Sequence, residues 1–117
     1  MTPTKNAKRK ILEFLINRWL SLSQYAALER IFLSSCLIAK ENNLPQPEYP
    51  EMMIPRPSRQ IDIIKAHIIE ILPEAKFIDY QFETPIPLDQ KDFAEICVAD
   101  HFQCAGKVKD LMDRMKI

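Results

Sequence analysis

The apolar positions along the chain fall into stretches of helical spacing separated by turn and proline signals. In residues 7–20, Ile11, Leu12, Leu15, Ile16, Trp19 and Leu20 recur at i, i+3 and i+4, which predicts an amphipathic helix. Ser21 followed by Gln24 has the form of a capping box, so a second helix is expected from Leu22. That helix runs through Tyr25, Leu28, Phe32 and Cys36 to about Glu41, where Asn42-Asn43 stops it. The competing reading is one unbroken helix over 7–42, roughly 54 Å long at 1.5 Å per residue. A hairpin of two helices is the preferred expectation, because a small domain folds its apolar faces onto each other.

Residues 44–57 hold prolines at 45, 47, 50, 55 and 57, each fixing φ and turning its predecessor away from helix. This segment reads as an ordered, extended connector, with 51–56 as a candidate edge strand. Ser58 is placed to cap a third helix, whose stripe is Ile61, Ile64, Ile68 and Leu72 and which ends at Pro73. In residues 76–83, Ile78, Tyr80 and Phe82 alternate with Asp79 and Gln81, the period of a half-buried strand. A lone strand needs a partner, either 51–56 or the same strand of a second copy. After Pro85 and Pro87, Asp89 can cap a last helix from about 90 to 115, striped by Cys97, His101, Cys104, Val108, Leu111 and Met115.

Composition narrows the function more than the fold. The 117 residues suit one domain, with sixteen basic and sixteen acidic side chains and a formal net charge of zero. The simplest argument for a nucleic-acid protein, an overall positive charge, is therefore absent. A single glycine, Gly106, excludes glycine-rich phosphate loops. One glycine with nine prolines also argues against the many tight hairpins of an all-β fold. Three cysteines, Cys36, Cys97 and Cys104, form no dense framework and point to a reducing, cytoplasmic setting. No run of eighteen apolar residues suggests a membrane span. The basic run before Ile11-Leu12 resembles the start of a signal peptide, but Glu13, Asn17 and Arg18 interrupt the apolar stretch beyond it. Leu33-Ser34-Ser35-Cys36 likewise resembles a lipoprotein cleavage box, and Glu29 and Arg30 occupy its apolar core.

Few residues suggest chemistry. Cys97, His101 and Cys104 would point the same way on a helix, and thiolate plus imidazole is a zinc ligand set. A fourth ligand would have to come from elsewhere, with His67 and Cys36 as candidates. Three ligands on one continuous helix fit structural zinc sites poorly, and the same positions continue an apolar stripe, so core packing is the expected role. Neither histidine stands beside a serine or cysteine in a nucleophile motif, so no enzyme and no cofactor are expected. Asp89, Asp92 and Glu95 are explained by the favourable place of acids at a helix start.

Charge is unevenly distributed. Residues 1–44 carry seven basic and three acidic side chains, a balance of +4, leaving −4 for the remainder. Lys5, Lys8, Arg9 and Lys10 cluster at the start of the first helix, where cations oppose the helix dipole, and Arg18 lies two turns further on. An exposed basic knob would suit phosphates or an acidic partner. A helix-turn-helix around Ser21 is disfavoured, because the segment that would read bases is apolar at Leu33, Leu37 and Ile38. Pro47-Glu48-Tyr49-Pro50 reads as rigid spacing within the connector.

The expected architecture is a single, mainly α domain: a helical hairpin and two further helices in a small bundle, with a short strand or ribbon at 51–56 and 76–83. The expected function is a non-catalytic interaction protein, an adaptor, regulator or assembly factor, that binds another protein through charged surfaces. Homodimerisation through the strand or the last helix is compatible with the pattern. The alternative is a nucleic-acid-binding regulator using Lys5, Lys8, Arg9, Lys10 and Arg18.

Overall fold

The protein is described by a computed structural model covering residues 4–51, 53–79 and 93–117. It is mainly helical, with α1 (Lys5–Glu41), α2 (Pro57–Ile71), a short 3₁₀ segment (Pro73–Asp79) and α3 (Phe93–Arg114). The described fold measures 56 × 26 × 18 Å. At 1.5 Å per residue α1 alone is about 55 Å long, so this one helix sets the long axis.

The expected break at Ser21 does not exist. Ser21 donates its hydroxyl to the Arg18 carbonyl at 2.7 Å, and Ser23 does the same to Leu20 at 2.7 Å, so both serines bond back into the helix. No glycine or proline lies between residues 5 and 41 to interrupt the ladder. The two apolar stripes read from the sequence are both real but belong to different faces of one helix. Leu12, Leu15, Ile16, Trp19, Leu22 and Ala26 are buried against α2 and α3. Tyr25, Phe32 and Cys36 are half-buried and Leu28 is exposed, roughly 140° around the helix at about 100° per residue. Phe32 meets the connector instead, stacking edge-on against Tyr49 with centroids 5.2 Å apart.

Helix ends follow local chemistry. Thr4 caps α1 by accepting the Ala7 N–H at 3.2 Å. Asn42-Asn43 ends it as expected, in a Schellman arrangement: Leu44 N–H donates to the Ala39 carbonyl at 2.8 Å, and Asn43 takes φ 55. The end of α3 repeats this with Ile117 N–H donating to Met112 and Lys116 at φ 57. With one glycine in the chain, left-handed positions fall to other residues. Ser58 is not the cap of α2. The helix opens at Pro57, whose fixed φ suits the first turn, and Arg56 precedes it at φ 48 without a side-chain cap.

No strand is found among the described residues, which corrects the expected ribbon. In the 51–56 segment the described residues form a turn, bends and irregular chain, and Met53 N–H donates to the Pro50 carbonyl at 3.0 Å. Residues 76–79 lie in the 3₁₀ segment, and 80–83 fall outside the described residues, as do Asp89 and the expected start of the last helix. The local reason is Leu72 and Ala75: both are fully buried, and Ala75 N–H donates to the Leu72 carbonyl at 2.9 Å, so a tight turn follows α2 directly. Among the described residues, no helix is long and apolar enough to cross a membrane.

One core joins all three helices. Trp19, Leu12, Ile16 and Leu22 from α1 meet Ile61, Ile68 and Leu72 around α2, and Ala105, Val108 and Met112 from α3. Fully burying a side chain of this size is worth about 1.5–3 kcal/mol. The core stops near residue 27 of α1, where Ala27 packs with Cys97. Beyond it Leu33, Leu37 and Ile38 are 57%, 57% and 46% exposed. They share the helix with the connector but have no cover from the bundle.

Candidate functional site

A cleft of about 380 Å³ opens where α1, α2 and α3 meet, just past the end of the core. Its α1 wall carries Glu29 and Arg30, its α2 wall Ser58, Asp62 and Lys65, and its α3 wall Cys97 and His101. Helical spacing explains the arrangement: Asp62 and Lys65 are three apart on α2, and Cys97 and His101 four apart on α3, so each pair lies along one face.

Among the described residues, Glu29 is the charged side chain drawn deepest into the fold, at 9% exposed. Its Oε1 accepts the Ser58 N–H at 3.3 Å, so α1 supplies the N-terminal cap that Arg56 does not. A carboxylate there also meets the positive end of the α2 dipole. Next to it, Arg30 Nη1 donates to Cys97 Sγ at 3.7 Å. Burial pushes the Cys97 thiol up, against the opposing effect of Arg30, so the sulfur stays protonated at neutral pH.

At the other end of the cleft, the fully buried Trp19 donates its indole Nε1–H to His101 Nδ1 at 3.0 Å. Accepting this bond requires an unprotonated Nδ1, and the neutral ring then carries its proton on Nε2. Burial, with Lys65 nearby, lowers the His101 pKa to about 4. Lys65 Nζ lies 5.2 Å from the centroid of the Trp19 ring, a cation–π distance.

The structure scatters the zinc candidate. Cys97 sits at the cleft beside Arg30, His101 Nδ1 is taken up by Trp19, and Cys104 packs against the core. Among the described residues no group of three His, Cys, Asp or Glu side chains could hold a metal ion. Burial raises the Cys104 thiol as well.

Nor is the basic cluster a single patch. Arg9 is bound into the fold: its guanidinium donates to Glu13 at 2.9 Å, to Asp113 at 3.1 Å and to the Ile117 carbonyl at 2.6 Å. These partners, Asp113 foremost, hold its pKa above the usual arginine value. Arg9 therefore ties the start of α1 to the end of α3. Lys5, Lys10 and Arg18 are exposed and Lys8 half-buried, and Lys10 lies roughly 160° around the helix from Lys8 at about 100° per residue.

Sequence reasoning passed over Glu29, Arg30, Asp62 and Lys65. For Glu29 a signal was present: it lies seven residues after Leu22 and three after Ala26, on the core-facing line of α1. A charged residue on an apolar line marks a burial that needs a partner. No family model matches the sequence, and no curated protein or solved structure is significantly similar to it.

Proposed function

We propose that the protein is a small, non-catalytic interaction protein whose main contact surface is the distal part of α1. The observation that carries this reading is the exposure of Leu33, Leu37 and Ile38 beyond the end of the core. Leu33 and Leu37 continue the line of Leu12, Ile16, Trp19 and Ala26, so the face that packs the bundle proceeds past it uncovered. Contiguous exposed apolar surface of this kind marks interaction sites, and a helical face of this spacing fits an apolar groove or a second helix. Lys40 and Glu41 at the end of α1 put charge beside this surface. The neutral ring of His101 and the protonated thiol of Cys97 fit a structural role.

The nucleic-acid reading is the weaker one, because Arg9 is engaged internally and Lys8 and Lys10 face apart. The test compares the wild type with two variants: Leu33→Lys with Leu37→Lys, and a quadruple Lys5, Lys8, Lys10, Arg18→Ala. Loss of co-purifying protein partners in the leucine variant, with retention in the quadruple, is the expected result. Salt-sensitive binding of duplex DNA or RNA by fluorescence anisotropy, abolished in the quadruple alone, would replace this reading with the nucleic-acid one.

A further inference from the structure

The outer side of α3 carries an apolar surface that the core does not use. Phe102 is 53% exposed there, and Leu28 of α1 is 47% exposed across from it. With Val98 and Ala99 they line a groove of about 560 Å³ between the two helices. Leu28 lies roughly 160° around α1 from the midline of Leu33 and Leu37, at about 100° per residue, so this surface is separate from the distal face. Glu95, Phe102 and Lys109 are seven residues apart, two helical turns each, and so follow one line along α3. Glu95 and Lys109 are both exposed, and neither forms a hydrogen bond or ion pair among the described residues. Gly106, the one glycine of the chain, stands on the same side of α3. Its φ is not positive, and a Cβ added there would meet nothing within 4 Å. Neither backbone conformation nor packing within one chain calls for glycine at this position, although glycine weakens a helix interior.

We infer that this surface is the interface of a homodimer, in which α3 pairs antiparallel with α3 of a second copy about a twofold axis at Phe102. In that register Glu95 stands opposite the partner's Lys109 and Lys109 opposite the partner's Glu95, so two ion pairs form at once. Val98 faces the partner's Gly106, where the missing side chain leaves room for it. Phe102 enters the partner's groove beside the partner's Leu28. The charges select both the occupant and the direction. Read one way the line is acid, aromatic, base, and read the other way it is its own complement, as an isologous contact requires. Parallel pairing would set Glu95 against Glu95 and Lys109 against Lys109. Asp113, one turn beyond Lys109, is already bound by Arg9 at 3.1 Å. From residue 95 to residue 109 the paired length is about 21 Å at 1.5 Å per residue. A contact of that length lies at the small end of specific interfaces, and a micromolar dissociation constant is expected. This inference does not depend on the distal face of α1 binding a partner.

The experiment is sedimentation equilibrium of the full chain from about 1 to about 200 μM. The average mass should rise with concentration from the 13.7 kDa of one chain towards twice that value. Phe102→Asp, Glu95→Lys and Lys109→Glu should each weaken the dimer at least about tenfold, with the circular dichroism of the wild type, because all three side chains are exposed. Glu95→Lys combined with Lys109→Glu reverses both members of each ion pair and should restore the dimer. That comparison decides the register even where Phe102→Asp disturbs folding. Leu33→Lys with Leu37→Lys should leave the dimer intact, which separates this interface from the distal face. A monomer across the whole range would overturn the inference. So would a dimer untouched by Phe102→Asp, a double reversal no stronger than the single ones, or loss of the dimer in the Leu33 and Leu37 variant.

Discussion

The two ends of α1 are built from the same kind of sequence and live in different surroundings. From Leu12 to Ala27 the helix is the spine of the bundle, with Leu12, Ile16, Trp19 and Leu22 sealed from solvent. From Phe32 to Glu41 it keeps an apolar line and a cap, and the connector reaches it through the Phe32–Tyr49 contact. An apolar stripe therefore reports which face of a helix is meant to be covered. What covers it, and along how much of its length, is set by where the other helices end.

The sharpest way to break the contrast is at Trp19. Trp19→Ala removes the side chain at the centre of the core together with its bond to His101, and should cost about 3–5 kcal/mol in urea unfolding. Next comes the continuity of the helix. Ser21→Pro takes a hydrogen bond from the middle of α1, and a loss of about 3 kcal/mol is expected in the same assay. A near-neutral result would mean that the chain bends freely there and that the two ends are separate helices.

Acid should act on the bundle end alone. The His101 pKa in the folded state, about 4, lies below its ordinary 6.5, so the unfolded chain binds this proton more readily. The stabilisation is complete above pH 6.5 and is lost as pH falls through 4. For a half-buried ring the loss is about 1–2 kcal/mol after solvent screening. His101→Phe should flatten this part of the stability profile measured between those limits. The smallest effect belongs to the far end: Leu33→Ser and Leu37→Ser should each change stability by less than about 0.5 kcal/mol, because both side chains are already 57% exposed. A large loss from either would show that the distal face is covered in the folded protein.

The helical character, the Asn42-Asn43 stop and the lines Ile61–Ile68–Leu72 and Cys97–Val108 were legible in the sequence, since each rests on local spacing. The unity of α1 was not. The Ser21–Gln24 pair carries the same residues whether it starts a helix or bonds back inside one, and only the backbone decides. The line Tyr25–Leu28–Phe32 looked like a second core face because periodicity does not tell a bundle from a connector. The strand expected at 76–83 failed over 76–79 for a different reason: the buried Leu72 and Ala75 hold the chain in a turn that alternation alone does not reveal. The cleft was hidden because its lining residues are far apart in sequence, from Glu29 to His101, and meet only once three helices have packed.

The bond between Trp19 and His101 spans 82 residues of chain. During synthesis at roughly 5–20 residues per second, α1 therefore emerges several seconds before the helix that completes its packing. Until α2 follows, Leu12, Ile16, Trp19 and Leu22 form an apolar stripe with no mate, and until α3 follows its cover stays incomplete. For the nascent chain, the whole of α1 is what its distal end remains in the finished fold, and it invites the same attention from chaperones and from neighbouring chains.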